Sequence, residues 1–312
     1  MARAELAEAA ADGRLATLAH HPFVLATRRL LRRRVAMVAL VIILVIYLSG
    51  LLAPWAAPYS FREIDLGNVF AGPSLEHPFG TDRLGRDILS RVMWSAQTTV
   101  IISVLAVGTG SLVLGVGLGL LSGYRGGWVD TLIMRLVDLI SSMPSILILI
   151  LVTATVRLRW EDLWRDFEGW SGIGSIRDSG ATDFLLVFGI LALLSWGGMA
   201  RFIRAQVLAL REGDYIMAAR AMGASTWRVV WVHLLPNVTH LIIVVLTASL
   251  GAMAGLEVFL AFLGIGVRPP HPSFGIMIFE GSGLRQLQAH PNLLLIPGAV
   301  IRALLISFNL LG

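Results

Sequence analysis

Charge is scarce in this chain, so the places where it collects are where chemistry has to be sought. Asp82, Arg83, Gly85, Arg86 and Asp87 crowd into the polar run HPFGTDRLGRD between two apolar stretches. Acids and bases lie there within ion-pairing reach of one another, and Gly85 suits a turn between them. Such a cluster supports a gate or a docking point for another protein, or else satisfies itself locally. Glu257 and Arg302 are different: each stands alone deep in apolar sequence. A charge inside a membrane is costly and is by default a sign of function. Arg302 lies about ten residues into its apolar segment, so it must face the bundle, a partner or a water-filled path. Arg135 and Asp138, three apart on a helix, are expected to pair on one face.

The absences exclude whole classes of chemistry. There is no Cys, which removes disulfides, thiolate nucleophiles and thiolate metal sites together. His77, His233, His240, His271 and His290 share no helical spacing suited to a metal, so no metal site is expected. All 25 basic residues are Arg. Without a Lys there can be no G-x-x-x-x-G-K-[ST] phosphate loop and no Schiff base. No Ser–His, Asp–Asp or His–Glu–His arrangement suits an intramembrane hydrolase. No catalytic residue and no cofactor of the chain's own are expected.

The elements that must position these charges are membrane helices. The chain has 312 residues, of which 56% are hydrophobic and 14% charged, with a mean hydropathy of +0.77. A water-soluble surface of this size would need far more charge. Six apolar segments approach the ~20 residues that span a bilayer: 35–52, 100–121, 132–156, 184–200, 238–261 and 293–311. The pieces expected inside (1–34, 122–131, 201–237) hold 13 Arg and 6 acids, whereas the outer pieces (53–97, 157–183, 262–292) hold 10 Arg and 12 acids. That asymmetry places both termini in the cytoplasm. It also explains the net charge of +5 without nucleic acid: Arg28, Arg29, Arg32, Arg33 and Arg34 are a topological anchor against the lipid surface. Glycines in the middle segments, among them Gly108, Gly110, Gly115, Gly117, Gly119, Gly251 and Gly255, favour close helix packing. The fold class is thus all-α, a polytopic six-helix bundle. The Trp-rich stretch 157–183 is expected as an outer loop lying at the membrane interface.

One inner loop, 201–237, carries its own punctuation. Asp214 is placed to cap a short helix from Tyr215, and Gly223 to end it in left-handed geometry. Ser225 can cap the next helix, and Pro236 marks the return to the membrane. The short helix presents Ala218, Ala219 and Ala221. Small residues on a protruding helix suit insertion into a groove of another protein.

These residues carry a resemblance. MAARAMGASTWRVVWVHLLP resembles the EAA loop of bacterial ABC importer permeases, with Ala218-Ala219, Gly223 and Leu235-Pro236 at the family's spacings. Met217 stands where the family has Glu, and His233 where it has Ile. FGTDRLGRD, GYRGGWVD, RLVDLISSMP, HLLPN and FLGIGVRPPHPSFG look like the C-type permeases of dipeptide, oligopeptide and nickel importers, and the likeness runs through nearly the whole chain after residue 25. The resemblance implies a type I ABC importer permease in a bacterial inner membrane, transporting peptides or nickel. It implies a heterodimer with a B-type permease, an extracytoplasmic solute-binding protein, and two P-loop ATPase subunits that bind the ATP and Mg. It implies that Asp214, Tyr215, Ala218, Ala219, Gly223, Ala224, Ser225 and Pro236 form the element coupling to the ATPase. It also implies that the Asp82–Asp87 run lies near the binding-protein dock. Three parts are expected: a cytoplasmic segment 1–34, a first helix with outer loop 35–96, and a five-helix core 97–312.

A secondary transporter driven by an ion gradient is the competing class. It would need intramembrane carboxylates and broken helices in paired halves, and only Glu257 is available.

Overall fold

The computed structural model describes residues 33–171 and 180–312. The Arg28, Arg29 and Arg32 anchor therefore lies outside the described residues. Those described are helical apart from connecting turns and one isolated antiparallel bridge, Thr81 with Asp87.

Helix α1, Arg34–Leu51, matches the first expected span. The second is much longer than its apolar run: α2 is Ile88–Arg125 and begins well before Val100. Asp87 starts it, its carboxylate accepting the Ser90 N–H at 2.7 Å. The added turns hide a polar face, with Arg91, Ser95, Thr98 and Thr99 all buried, which is why hydropathy alone placed the start too late. Within α2, Val107–Val116 is π-helical. Gly110, Gly115, Gly119 and Gly123 all face Ala181–Leu210, the helix α5. Their spacing is five, four and four, and the wider π turn absorbs the extra residue so that one face stays small. A Cβ on Gly119 would sit 2.8 Å from the Ala200 carbonyl oxygen, so the backbones meet where only glycine fits.

The third expected span, 132–156, is not one straight helix. It is α3, Gly127–Ser141, and α4, Ser145–Ser171, meeting at 88°. Pro144 is the cause, since it disfavours helix in the residue before it and has no N–H to continue the ladder. The stretch 157–171, expected as loop, is the far end of α4, and 172–179 lies outside the described residues. Trp160 and Trp164 pack edge to face there, and the Trp160 indole donates to the Thr182 carbonyl at 2.9 Å.

After α5 come α6, Asp214–Ala221, and α7, Thr226–Phe262. Pro236 does not open a fresh helix, as the sequence led one to expect, but sits inside continuous α7. The π-helical turn Val229–Leu234 just before it accommodates the missing N–H. Two short helices, α8 (Phe274–Gly281) and α9 (Leu284–Ala289), precede α10, Asn292–Leu311. Among the described residues, five helices (α1, α2, α5, α7 and α10) are long and apolar enough to cross a membrane, and the bent pair α3–α4, taken as one broken span, makes six.

Candidate functional site

At one end of the bundle, α6 is held crosswise between α5 and α7. Gly213 N–H closes the preceding turn on the Leu210 carbonyl at 3.0 Å. Gly213, not Asp214, is the N-cap, and Asp214 is instead the first helical residue, an acid in the turn where the helix dipole favours it. The far end is a full Schellman closure. Ala224 N–H reaches the Ala219 carbonyl at 3.0 Å and Gly223 N–H the Arg220 carbonyl at 2.9 Å, with Gly223 at φ +82°. Ser225 then caps α7 by accepting the Arg228 N–H at 3.3 Å. Three punctuation marks, at Gly213, Gly223 and Ser225, fix a two-turn helix in place.

The helix has two faces. Ile216 is fully buried and joins Val207, Val229, Leu234 and Val238 in one apolar cluster. Ala219 is also turned inward, 4% exposed, so of the expected coupling residues it belongs to the chain's own packing and not to an open surface. Asp214, Tyr215, Ala218 and Ala221 are exposed, as are Met217, Met222 and Trp227 beside them. Arg220 is pinned with its guanidinium 4.9 Å from the Tyr124 ring centroid. Deeper in, Asp130 of α3 accepts from Arg204 of α5 at 2.5 and 2.7 Å and from Ser122 of α2. Asp138 pairs with Arg201 of α5 at 2.7 Å rather than with Arg135. These bonds hold α3 and α2 to α5, the helix that leads into α6.

At the opposite end, the Asp82–Asp87 run folds into a tight loop. Gly85 has φ +72°, and a Cβ there would lie 1.7 Å from the Asp65 carbonyl oxygen, so only glycine fits. Asp82, 2% exposed, accepts from the Leu84 N–H at 2.8 Å, the Arg86 N–H at 3.0 Å and the Arg86 Nε at 2.7 Å, and from Arg91. Glu280 of α8 completes the network, accepting from Arg86 at 3.2 Å and Arg91 at 2.8 Å. Asp87 caps α2 and meets His77 at 3.1 Å. Arg83 alone projects, with 59% of its side chain exposed while it touches Glu280 at 3.3 Å. The cluster is a self-satisfied clamp that fastens the start of α2 to α8.

The two isolated charges separate. Glu257 is 1% exposed, inside the bundle. Arg302 is exposed on α10, so the bundle interior is not its partner.

A family model described as "Binding-protein-dependent transport system inner membrane component" matches residues 115–312. The chain belongs to that family. A second model, "N-terminal TM domain of oligopeptide transport permease C", matches residues 21–73. Among the relatives is a dipeptide transport system permease protein of Alkalihalophilus pseudofirmus, 34% identical over 287 residues, covering 92% of this chain and 86% of that one. An oligopeptide transport system permease of Bacillus subtilis is 33% identical over 279 residues, covering 89% and 83%. A glutathione transport system permease of Pectobacterium atrosepticum is 32% identical over 286 residues, covering 91% and 86%. This binding-protein-dependent permease is therefore a multi-pass component of an inner-membrane transport system, not an enzyme.

Two features of this permease escaped the sequence. Arg91 and Glu280 were not singled out, because nothing in the sequence ties positions so far apart. A second charged network at the same end of the bundle is also not evident from the sequence. Arg157 of α4 donates to Asp183 of α5 at 3.1 Å and to the Ile265 and Gly266 carbonyls at 2.8 Å each, and Arg268 joins Asp183 at 3.2 Å and Glu161 at 2.8 Å. In the GIGVRPP segment it is the Ile265 and Gly266 backbone carbonyls that do the binding.

Proposed function

We propose that this chain forms half of the membrane path of an ATP-driven importer for peptides, with α6 as its mechanical contact to the ATPase. The observation that carries the reading is α6 itself: a short exposed helix, fixed at both ends, braced on its buried face and rooted in two membrane helices. Whatever pushes on α6 pushes α5 and α7. Tyr215, Met217, Ala218, Ala221 and Met222 offer a mixed apolar surface of small and flexible side chains, suited to a groove. The Met at position 217 removes one acidic contact, so recognition there rests on shape and apolar area.

The other half of the path is a B-type permease, and the ATP and Mg are bound by two P-loop ATPase subunits. The solute arrives on an extracytoplasmic binding protein, docking near the Asp82–Asp87 clamp with Arg83 as its most exposed charge. Both termini are cytoplasmic, and the chain divides into an anchor 1–34, a first helix with its outer loop 35–96, and a core 97–312 that contains the coupling loop. Arg302, on the outer face of α10, is covered by the partner permease or by the aqueous path between them. The names of the relatives, which speak of dipeptides, oligopeptides and glutathione, support peptide as the solute and set nickel second.

The test is uptake into proteoliposomes holding this permease, its partner, the ATPases and the binding protein. Ala218→Arg is expected to abolish ATP-dependent uptake while the permease still inserts and pairs. Uptake by this chain alone on a proton or sodium gradient would overturn the reading. Titrating peptides and Ni²⁺ against the cognate binding protein decides the solute.

A further inference from the structure

Among the described residues, four carboxylates are buried: Asp82, Asp87, Asp183 and Glu257. Three have bases beside them: Asp82 has Arg86 and Arg91, Asp87 has His77, and Asp183 has Arg157 and Arg268. Glu257 has none. Its one hydrogen bond comes from the Thr99 hydroxyl of α2, which donates to Oε2 at 2.7 Å, and Oε1 has no partner.

The surroundings are polar but uncharged. One turn beyond Thr99, the Ser103 hydroxyl donates to the Thr99 carbonyl at 2.6 Å and meets the Tyr47 hydroxyl of α1 at 3.1 Å. Polar groups from α1, α2 and α7 thus meet inside the bundle. Of the titratable groups on the elements packed around α7, Tyr47 lies next to this spot. Arg91 and Glu280 hold each other in the outer clamp, Arg201 and Arg204 hold Asp138 and Asp130, Asp183 holds Arg157 and Arg268, and Arg302 points out of the bundle. None of them supplies the counter-charge that an ionised carboxylate inside a bundle requires.

We propose that Glu257 is a proton-binding site: it is carried as the neutral acid, taking its proton from water before the bundle closes and holding it at neutral pH. The neutral group does something the carboxylate cannot. A carboxylate only accepts hydrogen bonds, whereas a carboxylic acid both donates and accepts. It can therefore keep α2 tied to α7 through Thr99 while the two helices shift, and the unpartnered Oε1 is the spare position for that exchange. The uptake arm of the test rests on the transport function proposed above, whereas the spectroscopic arm does not, so the two can fail separately.

The experiment is infrared spectroscopy of the purified, reconstituted transporter at pH 7, comparing wild type with Glu257→Gln and Thr99→Val. A carboxylic-acid C=O band is expected in the wild type, lost in Glu257→Gln and shifted in Thr99→Val, which keeps the acid but removes its hydroxyl partner. Glu257→Gln, whose amide also donates and accepts, is expected to retain uptake within about twofold. Loss of a carboxylate band instead of an acid band in Glu257→Gln would overturn the proposal. So would a tenfold loss of uptake in an assembled Glu257→Gln complex, since the charge would then be needed. Should Glu257→Gln fail to assemble, the Thr99→Val comparison decides: an acid band that does not move removes Glu257 as its source.

Discussion

Replacing Gly223 isolates the conformation that ends α6 from every contact the residue makes. Its φ of +82° lies in the left-handed region, and a Cβ built there meets no atom within 4 Å. The strain of a substitution is thus backbone strain alone, with no clash to relieve. For an ordinary residue the left-handed conformation costs roughly 1–2 kcal/mol, which reduces the closed Schellman geometry about 5- to 30-fold relative to opened forms. Asn tolerates this region better than other side chains. The series Gly, Asn, Ala, Val should therefore weaken binding of the purified ATPase to the permease in nanodiscs in that order. Asn is expected within about threefold of wild type by the same reasoning, and Ala and Val to lose about 5- to 30-fold. Membrane insertion and pairing should be unchanged, because Gly223 is exposed and packs nothing. Equal affinity for Val and Gly would refute the reasoning. Asn as weak as Val would do so too, since bulk at an interface would then matter and backbone geometry would not.

The Asp82–Glu280 clamp predicts a contrast measured by thermal unfolding of the purified complex. Glu280→Gln removes a half-buried anion from Arg86 and Arg91, which keep Asp82, and should destabilise by about 1–3 kcal/mol, whereas Arg83→Gln, at an exposed position, should change stability by about 0–1 kcal/mol; equal effects would contradict the clamp. The two faces of α6 predict that Ala219→Arg lowers the thermal stability of the permease while Ala218→Arg leaves it unchanged, and the reverse order would mean the helix is rotated. Single cysteines in this Cys-free chain test sidedness: one at Trp164 should react with an impermeant thiol reagent on intact spheroplasts and one at Ser225 only after lysis. In the loop between α1 and α2, the Asn68 side-chain amide, followed by the Gly67 N–H, holds the Asp65 carboxylate below its ordinary range. Its contribution to the turn should be complete above that range and fade as pH falls through the depressed value, and carboxyl NMR showing an ordinary titration for Asp65 would exclude it.

What the sequence made legible was local. Gly223, Ser225 and the inner helix could be foreseen because capping and left-handed glycines act over a few residues. Asp214 was misjudged by one position, since Gly213 in extended geometry serves as cap while the acid enters the first turn. The break at Pro144 was equally local, yet the apolar run 132–156 continues through it and hid the bend. The reach of α2 back to Ile88 was illegible for a different reason. Its first turns are polar, and they are buried because Asp82 and, nearly two hundred residues away, Glu280 together neutralise Arg91. The inward turn of Ala219 likewise depends on Val229 and Leu234 closing over α6 from a helix whose π turn no hydropathy pattern announces.

The charged networks divide the molecule by what can move. The outer clamp joins α2 to α8, and the Arg157–Asp183–Arg268 set joins α4, α5 and the chain after α7, each through several buried charge-assisted bonds. On the other side, Asp130 and Asp138 hold α3 against α5. Between these ends, α2 and α5 are locked backbone to backbone along the glycine stripe. The link from α2 to α7 near its C-terminal end is of another kind: a single hydroxyl–carboxyl bond at Glu257, in packing that otherwise relies on apolar contacts. The helix that α6 leads into carries none of these ion pairs, and near Glu257 it is held to α2 by one exchangeable bond. A push on α6 meets a rigid α2–α5 pair and a compliant α7, so α7 is the helix whose displacement should report the ATPase stroke.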